Sequence, residues 1–105
     1  MNTPNNKYDT LLGAIEDLNL RQYAKSFIIK PEGLYCMETK EFFKPEEIVI
    51  VEFHRFEGAT DFEDMSIIYV LESKNGLKGT IIDAFGTYAD TKLGEFLRDV
   101  HFKYN

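Results

Sequence analysis

The feature that most restricts this chain is Asn75-Gly76, set between two β-rich runs, Met65 to Lys74 and Leu77 to Phe85. A two-residue Asn-Gly loop is the favoured hairpin connection, because both residues tolerate the positive φ that such a tight turn requires. The loop length also dictates register. It sets Val70 opposite Ile81, Ile68 opposite Asp83 and Ser66 opposite Phe85, and continued further it brings Tyr88 near Glu63.

Other elements follow from spacing. Tyr8, Leu11, Leu12, Ile15 and Leu18 keep the i, i+3, i+4, i+7 rhythm of one helical face, which ends around Asn19 to Gln22 with Tyr23 packed back under it. Phe27-Ile28-Ile29 and Leu34-Tyr35-Cys36-Met37 flank Lys30-Pro31-Glu32-Gly33, where Pro presets φ and Gly closes a turn. Thr39 to Glu47 is a connection whose Phe42 and Phe43 need cover, and Ile48 to Glu57 reads as a long strand. Leu93, Phe96, Leu97, Val100 and Tyr104 make a second amphipathic helix, N-capped by Asp90 or Thr91 and carrying His101 on its last turn. With no local βαβ unit, the expectation is an α+β fold: a mostly antiparallel five-stranded meander sheet with an N-terminal and a C-terminal helix packed on it. The 105 residues read as a flexible tail over 1–7 and a single domain over 8–105.

The strands do not alternate cleanly between apolar and polar. If Glu57 lies opposite Asp64, one face carries Val49, Val51, Phe53, Ile68, Val70, Ile81 and Phe85, and the other Ile48, Ile50, Phe56, Ile67, Tyr69, Leu71, Ile82 and Ala84. Both faces want burial, whereas two short helices cover only one. The second face therefore calls for the Thr39 to Pro45 segment, a ligand or another subunit.

Charge narrows the partners. The net charge is −6, and residues 41–72 hold nine acids against Lys44 and Arg55, a local net of −7 on an otherwise nearly neutral chain. This argues against nucleic acid, which needs clustered Lys and Arg, and against an anionic membrane surface. An acidic mimic of nucleic acid is a lesser alternative. The lone Cys36 forms no internal disulfide, no Cys/His spacing suits zinc, and no cofactor motif is present. A polar start without an apolar h-region and apolar runs too short to span a bilayer give a cytoplasmic expectation.

The densest chemical cluster is Glu52-Phe53-His54-Arg55-Phe56-Glu57-Gly58 with Asp61, Glu63 and Asp64. The hairpin register brings it to the same sheet end as Gly86, Thr87, Tyr88 and Asp90. Arg55, Glu57, Asp61, Asp64, Tyr88 and Asp90 are therefore the candidate ligand-binding residues, polar groups on an aromatic floor. Arg55 reads either as a fork for a carboxylate or phosphate or as a cross-strand ion pair sharing a face with Glu72 and Asp83. His54 points to the opposite face beside Phe56 and, as a lone His, reads as a packed or surface residue and not as a base. Asp61-x-Glu63-Asp64 lacks the glycine and glutamate of an EF-hand loop, so no metal site is assigned. Lys78-Gly79 and Gly86 read as bulges or close packing.

Phe53-His54-Arg55-Phe56-Glu57-Gly58, Asp61, Asp64, Tyr69, Lys78-Gly79 and Asp83-Ala84-Phe85-Gly86-Thr87-Tyr88-Ala89-Asp90, with the opening Tyr8-Asp9-Thr10-Leu11, together resemble a family of short bacterial proteins of about 100 residues. Its members often carry the label phosphoribosylpyrophosphate synthetase. The resemblance implies a small domain with the Arg55 to Asp64 and Phe85 to Asp90 segments as its signature. The length, the missing ribose-phosphate loop and the acidic site all argue against the chemistry of that label. The functional expectation is a non-catalytic binding or interaction domain that self-associates or meets a protein partner. The alternative is a small-ligand or divalent-metal binder, or a small enzyme, acting on a phosphorylated metabolite with Arg55 as anion clamp.

Overall fold

The computed structural model describes residues 7–56, 66–84 and 90–103. Helix α1 spans Leu11–Leu20, followed by β1 (Lys25–Lys30), β2 (Gly33–Cys36), β3 (Phe42–Phe43), a 3-10 turn at Pro45–Glu47, β4 (Ile48–Phe56), β5 (Ser66–Ser73), β6 (Lys78–Ala84), α2 (Thr91–Leu97) and β7 (His101–Phe102). The strands form one seven-stranded sheet in the order β3-β2-β1-β6-β5-β4-β7, curled into a half-barrel.

The expected five-stranded antiparallel meander is therefore corrected. Two antiparallel meanders, β1-β2-β3 and β4-β5-β6, are present, but they join through a parallel β1–β6 pair. The edge strand β7 also runs parallel to β4. Parallel neighbours need a crossover connection. Here the crossovers are whole stretches of the fold: β2 through β5 for the first pair, and β5, β6 and α2 for the second. No local βαβ signal advertises them.

Both ends of α1 are set locally. Thr10 is extended and its Oγ1 accepts the Gly13 N–H at 3.0 Å, an N-cap. At the other end Gln22 takes φ +74, its N–H donates to Asn19 O at 3.1 Å, and the Tyr23 N–H reaches back to Leu18 O at 2.8 Å. This is a Schellman closure, and it tucks Tyr23 against the core. Asp90 caps α2, accepting from the Lys92 and Leu93 N–H groups. That helix stops at Leu97, so His101 lies on a strand and not on a helical turn. Val100 still reaches the core, at 7% exposed, and the Lys103 N–H continues the ladder to Ile50 O at 2.8 Å.

The hairpin register differs by one residue from that expected. Ser73 N–H donates to Leu77 O at 2.9 Å and Gly76 N–H to Ser73 O at 3.0 Å, giving a three-residue loop with Gly76 at φ +90. This is a type I turn closed by a positive-φ bulge residue. Side chains favour the wider loop: Ser73 Oγ bonds to Asn75 Oδ1 and accepts the Leu77 N–H, and Asn75 Nδ2 donates to Glu41 Oε2 at 3.2 Å. Val70 consequently faces Thr80, and Ile68 faces Ile82. A one-residue slip exchanges the faces of β6.

A second shift lies inside β4. Ile48 to Ile50 pair with Ser73 to Leu71 in the expected register, but the ladder breaks between Ile50 and Glu52, and Phe53 then pairs with Tyr69. Such a bulge turns successive side chains to one side. Ile50 belongs to the cluster under α2, with Phe27, Leu34, Cys36, Phe43, Ile48, Leu71, Ile81, Leu93 and Val100. Val51 joins the opposite cluster of Ala14, Leu18, Phe56, Ile68 and Val70 under α1. The two helices thus cover opposite faces of the sheet.

Candidate functional site

The bulge turns Glu52 and His54, two residues apart on β4, together onto the α1 face, beneath the C-terminal end of that helix. Arg21, the C-cap of that helix, donates from Nη1 to Glu52 Oε1 at 2.7 Å and from Nη2 to Oε2 at 3.2 Å, a fork on a carboxylate whose side chain is only 4% exposed. Arg21 Nη1 also donates to the Tyr8 hydroxyl at 3.0 Å, and that hydroxyl donates to Asp17 Oδ2 at 2.5 Å. Lys7 Nζ stands 3.6 Å from Glu52 Oε2.

His54 is fully buried, with both nitrogens committed. The Lys7 N–H donates to Nδ1 at 3.2 Å, which places the proton of the neutral ring on Nε2, 3.1 Å from Glu52 Oε1. The ring of Tyr8 meets it edge-on at 4.7 Å. Burial pushes the imidazole below its ordinary value, with the Lys7 and Arg21 charges in the same direction and Glu52 opposing. Burial alone would raise the Glu52 carboxyl, but hydrogen bonds from Arg21 and His54 and the charges of Arg21 and Lys7 outweigh it and hold the group at about 2. Beside this cluster the Tyr23 hydroxyl donates to Glu72 Oε2 at 2.7 Å, and burial with that bond pushes the phenol up to about 12.

Perturbed titratable groups in a cluster are functional candidates, but catalysis needs a group that can reach a substrate. His54 has no solvent-facing nitrogen, and its partners are its own chain. The cluster is a polar clasp that fixes α1 and the segment before it to β4.

Of the residues singled out from sequence, Glu57, Asp61, Asp64 and Tyr88 lie outside the described residues. Arg55 is exposed near the end of β4, opposite Ile67, and the two register shifts bring it into one row with Asp83, which was expected on the same face but opposite Ile68. Glu72 lies on the other face with Tyr23 and does not join it. The Asp90 N–H donates to the Asp83 carboxylate at 3.1 and 3.4 Å, so Arg55, Asp83 and Asp90 converge on one sheet end. Burial raises the Asp83 carboxyl, and the Asp90 charge adds to it. Among the described residues no three His, Cys, Asp or Glu side chains cluster in the manner of a metal site. Cys36 is buried. Arg21 and Tyr8 were not singled out from sequence. The available signal was a Glu-x-His pair inside an apolar strand, which demands a buried counter-charge from elsewhere.

A surface feature completes the site. Phe42 pairs with Tyr35, Tyr35 with Ile28, and Ile82 with Ile68. The parallel β1–β6 pairing carries Ile28 onto the same face as Ile82. Continued two residues past its last pair, Ser26–Thr80, that register aligns Phe42, Tyr35, Ile28, Ile82 and Ile68 as one apolar row across five strands on the α1 face. Helix α1 covers only the Ile68 end. Phe42 is 45%, Ile28 39% and Ile82 45% exposed, and Met37 just past β2 is 48% exposed. The Tyr35 and Phe42 rings pack at 4.8 Å, and Lys30 Nζ sits 4.0 Å over the Tyr35 ring.

No protein-family model, curated protein or solved structure matches the chain. The functional reading therefore stands on its chemistry. No helix among the described residues is long and apolar enough to cross a membrane.

Proposed function

We propose that this protein is a non-catalytic interaction domain that associates with a second copy of itself through the exposed part of the α1 face, over β3, β2, β1 and β6. The observation that carries this reading is the row Phe42, Tyr35, Ile28, Ile82, half of it open to solvent while the same row is buried under α1 at Ile68. Contiguous apolar patches on a monomer's surface are commonly contact sites. A face used by two copies must complement itself, and a row of branched and aromatic side chains does so without charge matching.

Light scattering on the intact chain at micromolar concentration should report a dimer. Ile28→Asp and Ile82→Asp together should return a monomer with an unchanged far-ultraviolet circular dichroism spectrum. Burial of an isoleucine contributes about 1.5–3 kcal/mol, so each substitution should weaken association by at least about tenfold. A native chain that stays monomeric at that concentration would remove self-association.

The convergence of Arg55, Asp83 and Asp90 at one sheet end supports a second reading, a site for a small phosphorylated ligand or a divalent ion with Arg55 as anion clamp. It makes a separate prediction. In a thermal-shift screen with nucleotides and sugar phosphates, with and without Mg²⁺, Mn²⁺ or Ca²⁺, stabilisation by one of these phosphorylated ligands should disappear in Arg55→Ala; [L] at 100 times Kd corresponds to about 2.7 kcal/mol. A screen without a hit leaves the interaction reading standing alone.

A further inference from the structure

His54 is the one fully buried imidazole, and its surroundings suit only its neutral form. From the segment before α1 it receives the Lys7 N–H at Nδ1, the Lys7 ammonium near Glu52, and the edge of Tyr8. From α1 it sees Arg21, and Asp17 through the Tyr8 hydroxyl. From its own strand it meets Glu52, and from β5 the uncharged Ile68 directly opposite.

We propose that His54 is an acid-sensitive latch that holds the segment Lys7 to Asp9 on the sheet and releases it on protonation. A proton arriving at Nδ1 turns that acceptor into a donor facing the Lys7 N–H, which is also a donor. The hydrogen bond is lost and replaced by opposed dipoles. The new positive charge cannot be matched by Glu52, already held by the Arg21 fork and by Lys7, and at 0% exposure it has no water. Withdrawal of Lys7 is the movement that admits water to Nδ1. Helix α1 keeps its own supports, the Thr10 cap and the buried Ala14 and Leu18, so the released unit is the segment before it. Its departure takes Tyr8 off the cluster of Phe56, Ile68 and Val70 and lengthens the apolar α1 face.

The sign and window follow from linkage. Because the ring's affinity for protons is lower when latched than when free, latching is at full strength above the ordinary imidazole value and is lost as pH falls below it. Glu52 acts in the same sense but only below the ordinary glutamate range. Between roughly pH 6.5 and 4.5 the change therefore belongs to His54.

Amide hydrogen exchange in the native chain, corrected for the intrinsic pH dependence of exchange, should show Lys7 protection falling about tenfold per pH unit below roughly 6.5, with Ala14 and Leu18 unchanged. In His54→Asn, whose carbonyl oxygen accepts the Lys7 N–H without titrating, the dependence should vanish. Lys7 protection that stays flat from pH 7 to 5 in the native chain, or an equal slope in His54→Asn, would overturn the latch. Should His54→Asn fail to fold, the imidazole carbon titration of the native chain serves instead. It must share its course with the loss of Lys7 protection, and separate courses would refute the proposal.

Discussion

Arg21→Met should cost about 3 kcal/mol and lower Tm by roughly 15 °C, a large effect for a residue at the end of a short helix. The cost comes from what is left behind. Glu52 is 4% exposed, and without the fork it is a buried carboxylate facing only Lys7 Nζ at 3.6 Å and the His54 N–H. Breaking a buried pair from one side typically costs about 3–5 kcal/mol, and the low end applies because the Arg21 side chain is 35% exposed and water shares its work.

The pH dependence discriminates this account from simple loss of helix packing. In the native chain Glu52 sits at about 2, against an ordinary value near 4.5. Its folded value is depressed, so it contributes stability that is complete above about 4.5 and lost as pH falls toward 2. In Arg21→Met, burial prevails and the carboxyl moves upward. The penalty should therefore be largest at neutral pH and shrink as acid protonates Glu52 in both proteins. Arg21→Met combined with Glu52→Gln should recover most of the loss, because no buried charge remains and Gln still accepts from His54. A penalty that is constant from pH 7 to 3 would show that the fork contributes packing alone.

How much of this could be read in the sequence depends on the range of the interactions. Local features were legible. Leu11, Ile15 and Leu18 on the α1 face, its termination near Gln22 with Tyr23 folded beneath, the Asp90 cap and the strand cores all depend on neighbours within about one turn, whereas Leu12 of the expected face is 66% exposed and Tyr8 precedes the helix. Registers were not. Asn75-Gly76 signals a hairpin, but the Ser73 and Asn75 side chains choose a three-residue loop, and one added residue exchanges the faces of β6. The bulge before Glu52 is invisible to periodicity because it replaces one alternation with another. Without it, Glu52 and His54 would both turn to the α2 face, away from Arg21 and Lys7. The α2 pattern ran on through Val100 because a buried residue just past a helix keeps the spacing of one inside it. The acid-rich stretch 41–72 also changes meaning once folded. Glu52 receives Arg21 and Glu72 receives Tyr23, so part of that charge is internal structure and not a surface awaiting a partner.

The parallel seam between β1 and β6 was the least legible element, and it yields the second large prediction. Gly79→Ala should destabilise the protein by on the order of 3 kcal/mol or more, although it adds only a methyl group. A Cβ at Gly79 would stand 2.2 Å from Lys25 O, 2.7 Å from Lys25 C and 2.7 Å from the Phe27 ring. Two of these are backbone atoms, which cannot rotate away, and the third belongs to a side chain 3% exposed in the core. Relief requires β1 to move off β6. Only Lys25–Gly79 and Ser26–Thr80 pair these strands, so the displacement acts on the whole connection between the β1-β2-β3 and β4-β5-β6 meanders. The injury should be regional before it is global. Amide exchange at Phe27 to Lys30 should rise to that of a locally opened unit, while Val70 and Leu71 at the centre of the other meander keep the protection set by global unfolding. Because β1 and β6 both supply the row around Ile28 and Ile82, the same variant should also weaken self-association in proportion to the opened fraction. A Gly79→Ala protein that melts within a degree or two of the native chain would mean that the β1 backbone does not approach β6 there, and with it the continuity of the apolar row would fail.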